Sequence, residues 1–120
     1  MRKLEKRIFG RGAQGPVKIE LTHAALDDLR SIRAYTLERW GPDQEQLYLD
    51  QIWNKFDNIL SDPSTFRFRP DLFPGCQIAA EGKHVILFRM SKSSIQVVRV
   101  LHGAMDYKRH LPPETRRSRR

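Results

Sequence analysis

The sequence predicts an α+β fold, a small two-layer sandwich in which a helical hairpin packs on an antiparallel sheet. The expected order is β-α-α-β-β-β with a short C-terminal helix. Three observations carry this. A strict apolar/polar alternation opens the patterned part of the chain. Two stretches with apolar residues at helical spacing follow, broken at Gly41-Pro42. Three apolar segments separated by short polar loops come last. The 120 residues suffice for one domain and not for two ordinary ones. With 39% hydrophobic and 30% charged residues the composition is globular.

Residues 1–15 mix basic residues with Gly10, Gly12 and Gly15 and have no sustained period; they read as a flexible basic extension. The domain proper is expected over 16–111. Its first strand is Val17 to Leu21, with Val17, Ile19 and Leu21 facing inward. Thr22 can cap the following helix, where Asp27 and Asp28 lie in the early turns favoured for negative charge. Ala25, Leu29, Ile32 and Thr36, flanked by Leu26 and Tyr35, form its apolar stripe, and Trp40-Gly41-Pro42 ends it. Asp43 with Gln46 resembles a capping box for the second helix. Tyr48, Ile52, Phe56 and Ile59 form that helix's buried face, widened by Leu49, Trp53 and Leu60, and Ser61-Asp62-Pro63 stops it.

An irregular stretch from Ser64 to Pro74 precedes strands over Cys76 to Ala80, Val85 to Met90 and Ile95 to Leu101. Their four-residue polar connections fit hairpins. The middle strand should be central, with Ile86, Phe88 and Met90 under the helices and Val85, Leu87 and Arg89 on a mixed face. The last strand is ambiguous, since neither of its faces is wholly apolar. One or two helical turns fit Gly103 to Leu111, and 112–120 has no apolar residue and is expected to be a disordered basic tail.

The formal net charge of +8 sits mainly in the ends. Arg2, Lys3, Lys6, Arg7 and Arg11 against Glu5 give +4, Arg116, Arg117, Arg119 and Arg120 against Glu114 give +3, and the segment between them carries +1. The basicity is therefore poor evidence for a nucleic-acid-binding domain. The longest apolar run, Val85 to Phe88, is far short of a bilayer span, and no apolar segment of a secretory signal follows the basic N-terminus. The single Cys76 makes neither an internal disulfide nor a zinc site, so a reducing cytoplasm is the expected compartment.

Enzyme constellations are sparse. The N-terminal glycines precede a strand and so do not form a phosphate loop. Asp27, Glu38, Glu45 and Asp50 read as solvated carboxylates rather than an acid/base pair. His102, Asp106 and His110 follow one another at intervals of four, but Gly103 interrupts any common helix; no metal and no cofactor are expected. Arg89, Arg99, His102, Tyr107 and Arg109 could instead converge as a ribonuclease-like set, with cations stabilising a phosphorane-like transition state and His or Tyr moving protons. The plainer reading gives both strand arginines acidic neighbours, in this chain or a partner. Trp40, Tyr48, Trp53, Phe66, Phe68 and Phe73 are mostly core. A sheet face uncovered around Val85 and Leu87 would invite a partner segment.

Several segments, in order, resemble the ParE branch of the RelE/ParE toxin superfamily. They are Leu21-Thr22-His23-Ala24-Ala25-Leu26-Asp27-Asp28-Leu29, Trp40-Gly41, Asp62-Pro63, Phe73-Pro74-Gly75 and His84-Val85-Ile86-Leu87-Phe88-Arg89. The most specific piece runs from Arg99-Val100-Leu101-His102 through Met105-Asp106 to Arg109-His110-Leu111. The resemblance implies a RelE/ParE-like toxin domain, the growth-arresting half of a bacterial type II toxin–antitoxin pair, neutralised by a ParD-like antitoxin. The implied target is DNA gyrase, bound as a protein, with nucleic acid met only indirectly through gyrase–DNA or an antitoxin–operator complex, and with no membrane partner. Partner-binding residues would be Val85, Leu87, Arg89, His102, Asp106, Arg109 and His110, with no catalytic residue. The alternative is ribosome-dependent mRNA cleavage of the RelE type through Arg89, Arg99, His102 and Tyr107. The long basic N-terminus and the Arg-rich tail depart from the usual ParE pattern.

Overall fold

In the strand that opens the domain, Ile19 is fully buried and Leu21, on the same side, packs against the same core. The computed structural model describes residues 18–111 together with the backbone of Arg7–Ile8 (β1), which pairs antiparallel with Lys18–Leu21 (β2). The extension thus supplies one short strand. Apart from the Arg7–Ile8 strand, the segments expected to be mobile, 1–15 and 112–120, lie outside the described residues, as does Val17, expected to face inward.

Thr22 caps helix His23–Trp40 (α1), its Oγ1 accepting from Ala25 N at 3.0 Å while donating to Val98 O at 2.8 Å. The cap therefore also pins the helix start to the sheet. Ala25, Leu29, Ile32 and Thr36 are its buried residues, the stripe that the spacing predicts. Gly41, at φ 93°, ends α1 and admits helix Pro42–Ser61 (α2). The expected capping box at Asp43 does not form. Pro42 already occupies the first turn, where its missing N–H costs nothing, so Asp43 and Glu45 lie inside that turn and interact with the helix dipole.

Arg67–Phe68 (β3), Gln77–Glu81 (β4), His84–Ser91 (β5) and Ser94–His102 (β6) complete a six-stranded sheet in the order β1-β2-β6-β5-β4-β3. β5 is central, as expected. The sheet is mixed and not antiparallel throughout, because β2 and β6 run parallel. The helical hairpin carries the chain across the sheet before the β4-β5-β6 meander, and that meander ends with β6 alongside β2 in the same direction.

A register shift between Leu87 and Phe88 resolves the ambiguous period of the last strand. Phe88 pairs with Val97 and Leu87 with Arg99, leaving Val98 as the extra residue. Ile95, Val97 and Val100 consequently join the helix-side core with Ile86, Phe88, Trp53 and Phe56, while Val98 and Leu101 join a second cluster. Met90, expected in the helix-side core, is 46% exposed near the strand end.

The second cluster corrects the expectation of an open sheet face. Val85 and Leu87 are buried beneath the chain's own Leu72, Phe73, Cys76 and Leu111, with Ile78 and Tyr107 packed alongside. The irregular segment and the C-terminal turn fold across the face that two helices cannot reach. Val85 and Leu87 are therefore core residues and are not available as partner contacts. Burial pushes the Cys76 thiol up to about 12, so it behaves as a small apolar filler and not as a reactive thiolate.

Leu87→Ala should lower the unfolding free energy of the free chain by about 2–5 kcal/mol in urea denaturation. Met90→Ala, at the exposed position, should change it by less than about 0.5 kcal/mol. Equal, small effects would mean that the Leu87 face is open.

Candidate functional site: an aromatic groove beside an arginine lock

Asp28 is the half-buried carboxylate on which the site is built. Its Oδ2 accepts from Arg99 Nε at 2.7 Å and from Val100 N at 2.9 Å, and its Oδ1 accepts from Arg99 Nη2 at 2.8 Å. This two-pronged pair joins α1 to β6. The remaining terminal nitrogen of Arg99 donates to the His110 carbonyl, so the same guanidinium holds the C-terminal turn, Tyr107–His110. The hydrogen bonds it donates to Asp28 hold the Arg99 pKa above its ordinary value.

On one side of this lock lies a groove of about 1070 Å³, between α1, the start of α2, the β4–β5 turn and the end of β6. Its rim is aromatic. Trp40 is 62% and Tyr35 58% exposed, and the Arg39 guanidinium lies 5.5 Å from the Tyr35 ring centroid and 5.9 Å from that of Trp40. Met105, 42% exposed, faces the groove from the C-terminal segment.

The floor is a hydrogen-bonded cluster. Tyr48 has one hydroxyl proton, and the Glu81 carbonyl 3.0 Å away can only accept it. The 2.6 Å contact from Tyr48 Oη to His84 Nδ1 must then be a donation from the ring nitrogen, which leaves a lone pair on His84 Nε2. His102 has the opposite tautomer, because its Nδ1 accepts from Ala104 N at 3.2 Å. The two rings meet edge to face at 5.7 Å. Burial, then the neighbouring His102, pushes the His84 pKa below its ordinary value, and burial raises that of Tyr48. Gly82 makes this packing possible. Its φ is +59°, and a Cβ there would lie 2.8 Å from Tyr48.

The bulge is what sets this floor. It places His84 opposite His102; an unbulged ladder continued from Ser91 and Ser94 would put Leu101 there instead.

The residues expected to act together are divided. Arg99 and His102 line the groove, while Arg89, Arg109 and His110 line a second, smaller cavity in which Arg99 also takes part. Tyr107, expected beside them, lines neither cavity; its hydroxyl donates to the Gly103 carbonyl at 3.0 Å. Asp106 is exposed before the C-terminal turn, its carbonyl accepting from Arg109 N. His102 and His110 share no helix, and among the described residues no three His, Cys, Asp or Glu side chains are grouped to hold a metal ion. Arg89 is bound to Gln96 at 2.9 Å and lies over the Phe73 ring, so its neighbours are an amide and an aromatic face instead of the expected acid.

Sequence reasoning missed Asp28, Tyr35, Tyr48 and His84 as site residues. Tyr35 lies just off the buried stripe, and Trp40 sits at a helix end next to Gly-Pro; an aromatic in either place is a signal for exposure. Asp28 carried no such signal, because its partner is 71 residues away.

The two-layer domain, a helical hairpin on one face of a mixed sheet, is shared with solved structures from toxin–antitoxin systems. The chain is similar to one from the chromosomal ParDE system of P. aeruginosa (TM-score 0.61, 20% identity, covering 70% of this chain and 92% of that one). It is also similar to one from the toxin–antitoxin complex RelBE2 of Mycobacterium tuberculosis (TM-score 0.50, 19% identity, covering 70% and 94%). The family model described as ParE toxin of type II toxin–antitoxin system, parDE, matches residues 19–107. Toxin ParE1 of Mycobacterium tuberculosis is 35% identical over 92 residues, covering 76% of this chain and 94% of that protein. Toxin ParE1 of Caulobacter vibrioides is 30% identical over 91 residues, with the same coverage. The chain belongs to the ParE toxin family of type II toxin–antitoxin systems.

His84 gives the floor a pH dependence. Its folded pKa lies below the ordinary value of 6.5, so folding favours the neutral ring. That stability is complete above about pH 6.5 and is lost as the pH falls from there to the depressed folded value. Unfolding free energies measured between about pH 7.5 and 5 should fall more steeply for the native chain than for His84→Gln. Parallel curves would remove His84 as the responsible group.

Proposed function

We propose that this ParE-family toxin arrests growth by binding DNA gyrase in the bacterial cytoplasm, and that a ParD-like antitoxin neutralises it by laying an apolar, acidic segment along the aromatic groove. The observation that carries the docking reading is the open rim. Trp40 and Tyr35 expose large apolar rings beside Arg39 and Lys83, and large exposed aromatics next to cations are the anchors from which protein interfaces draw most of their energy. The gyrase target follows from the family association given above. No helix among the described residues is long and apolar enough to cross a membrane.

RelE-type cleavage receives less support from the side chains. Arg99 is held by Asp28 and the His110 carbonyl, the Tyr107 hydroxyl is engaged by Gly103, and His102 stands in a different cavity from Arg89. A docking toxin needs none of these groups to move a proton.

Two measurements test the proposal. Trp40→Ala should weaken binding of the co-encoded antitoxin by about 2 kcal/mol or more, roughly 30-fold. Antitoxin binding untouched by that change would place the segment elsewhere. The purified toxin should block gyrase supercoiling while leaving mRNA on translating ribosomes intact. Alanine at His102 or Tyr107 should weaken that block by no more than roughly 5- to 30-fold, whereas loss of a general acid or base costs about 10²- to 10⁴-fold. mRNA cleavage abolished by Tyr107→Phe would establish the RelE-type activity in place of gyrase binding.

A further inference from the structure

The second cavity, about 410 Å³, lies where Arg89 and Gln96 on neighbouring strands meet the start of α1 and the 109–111 segment. Its polar groups are one-sided. Arg89 Nε donates to Gln96 Oε1 at 2.9 Å, which engages the amide oxygen and leaves its N–H₂ group and both terminal nitrogens of Arg89 as donors. The same guanidinium rests over Phe73 with its carbon 5.5 Å from the ring centroid, so it is held in place before any ligand arrives. Arg109 and His110 add an exposed guanidinium and an imidazole.

Two of the acceptors around this cavity are already engaged. The Thr22 hydroxyl donates to Val98 O and accepts from Ala25 N, and the His110 carbonyl accepts from Arg99. Among the residues lining the cavity there is no Asp or Glu, and the carboxylate that neutralises Arg99 is Asp28, outside the lining. What remains is a set of donors on two strands and the C-terminal turn, with two positive charges, those of Arg89 and Arg109, that no carboxylate among the described lining residues neutralises. No Phe, Tyr or Trp among the described residues lines the cavity to stack a base. A planar carboxylate is satisfied by one guanidinium fork, whereas donors arriving from three directions match a tetrahedral oxyanion.

We propose that this cavity binds a phosphate group, free or carried on a nucleic-acid backbone. The inference is independent of the groove and of the gyrase reading, because none of Arg89, Gln96, Arg109 and His110 lines the groove.

The experiment uses the full chain, isotope-labelled, with the arginine Nε–H and histidine ring resonances followed by NMR. Sodium phosphate is titrated at constant ionic strength against sodium chloride; sodium acetate and a short DNA duplex are titrated separately. Saturable shifts of the Arg89, Arg109 and His110 signals are expected with phosphate at millimolar concentrations, well below about 50 mM. Arg109→Gln changes only an exposed side chain and should weaken binding about 5- to 10-fold, with Arg89→Gln/Arg109→Gln weakening it further. Arg30→Gln on the outside of α1 should leave it unchanged. Tighter binding of the duplex, lost in Arg109→Gln, identifies backbone phosphate as the source; phosphate binding without that gain identifies a free phosphate ligand. Shifts that never saturate, that survive in the double variant, or that acetate reproduces at equal concentration would overturn the proposal.

Discussion

The Asp28 carboxylate binding Arg99 and the Val100 amide is the constraint on which the rest of the arrangement depends. With side chains only 13% and 19% exposed, Asp28 and Arg99 are largely withdrawn from water, so each needs the other. An unpaired charge in such a place costs several kcal/mol, and two parallel N–H···O bonds fix direction as well as distance. α1 is thereby set against β6 at one angle, and Arg99 has one nitrogen left to hold the C-terminal turn through the His110 carbonyl. That turn brings Leu111 and Tyr107 over the sheet face opposite the helices. One ion pair therefore positions a helix, a strand and the segment that closes the second core.

Its two sides are chemically different. Towards the end of α1, the groove joins exposed aromatics to a floor of two imidazoles and a tyrosine, one imidazole presenting a lone pair and the other an N–H. Towards the start of α1, the smaller cavity is lined by three arginines and by no carboxylate among the described residues. Because Arg99 borders both, its neutralisation by Asp28 decides the chemistry of each. It leaves the charge of the smaller cavity to Arg89 and Arg109. The bulge at Val98 adds the second constraint, aligning His84 with His102 and turning Val98 and Leu101 towards the outer core.

Local features were legible in the sequence because local physics decides them. The α1 stripe follows the 3.6-residue period residue for residue, Thr22 caps where a helix needs an acceptor, and the Gly41-Pro42 break falls between the two helices. The Asp43 cap failed locally too, since Pro42 made an equally good helix start one residue earlier. The misreadings of consequence were non-local. Strand alternation carries no mark of a bulge, so the faces of β6 could not be assigned. Nothing in Phe73 or Leu111 announces that they fold over Leu87, which made a core face read as an open one. The family resemblance supplied the toxin class through the segment from Arg99 to Leu111. The groove itself became visible only when α1, α2 and the β4–β5 turn were placed around it.

A double-mutant cycle between Asp28→Asn and Arg99→Gln, read by urea denaturation of the full chain, tests the central claim most directly. If the pair is the lock described, each single change is strongly destabilising and the double variant loses much less than their sum, giving a coupling of about 1.5 kcal/mol or more. A coupling within about 0.5 kcal/mol of zero would mean that α1 and β6 are held together by apolar packing alone, and that the Asp28–Arg99 contact organises neither cavity.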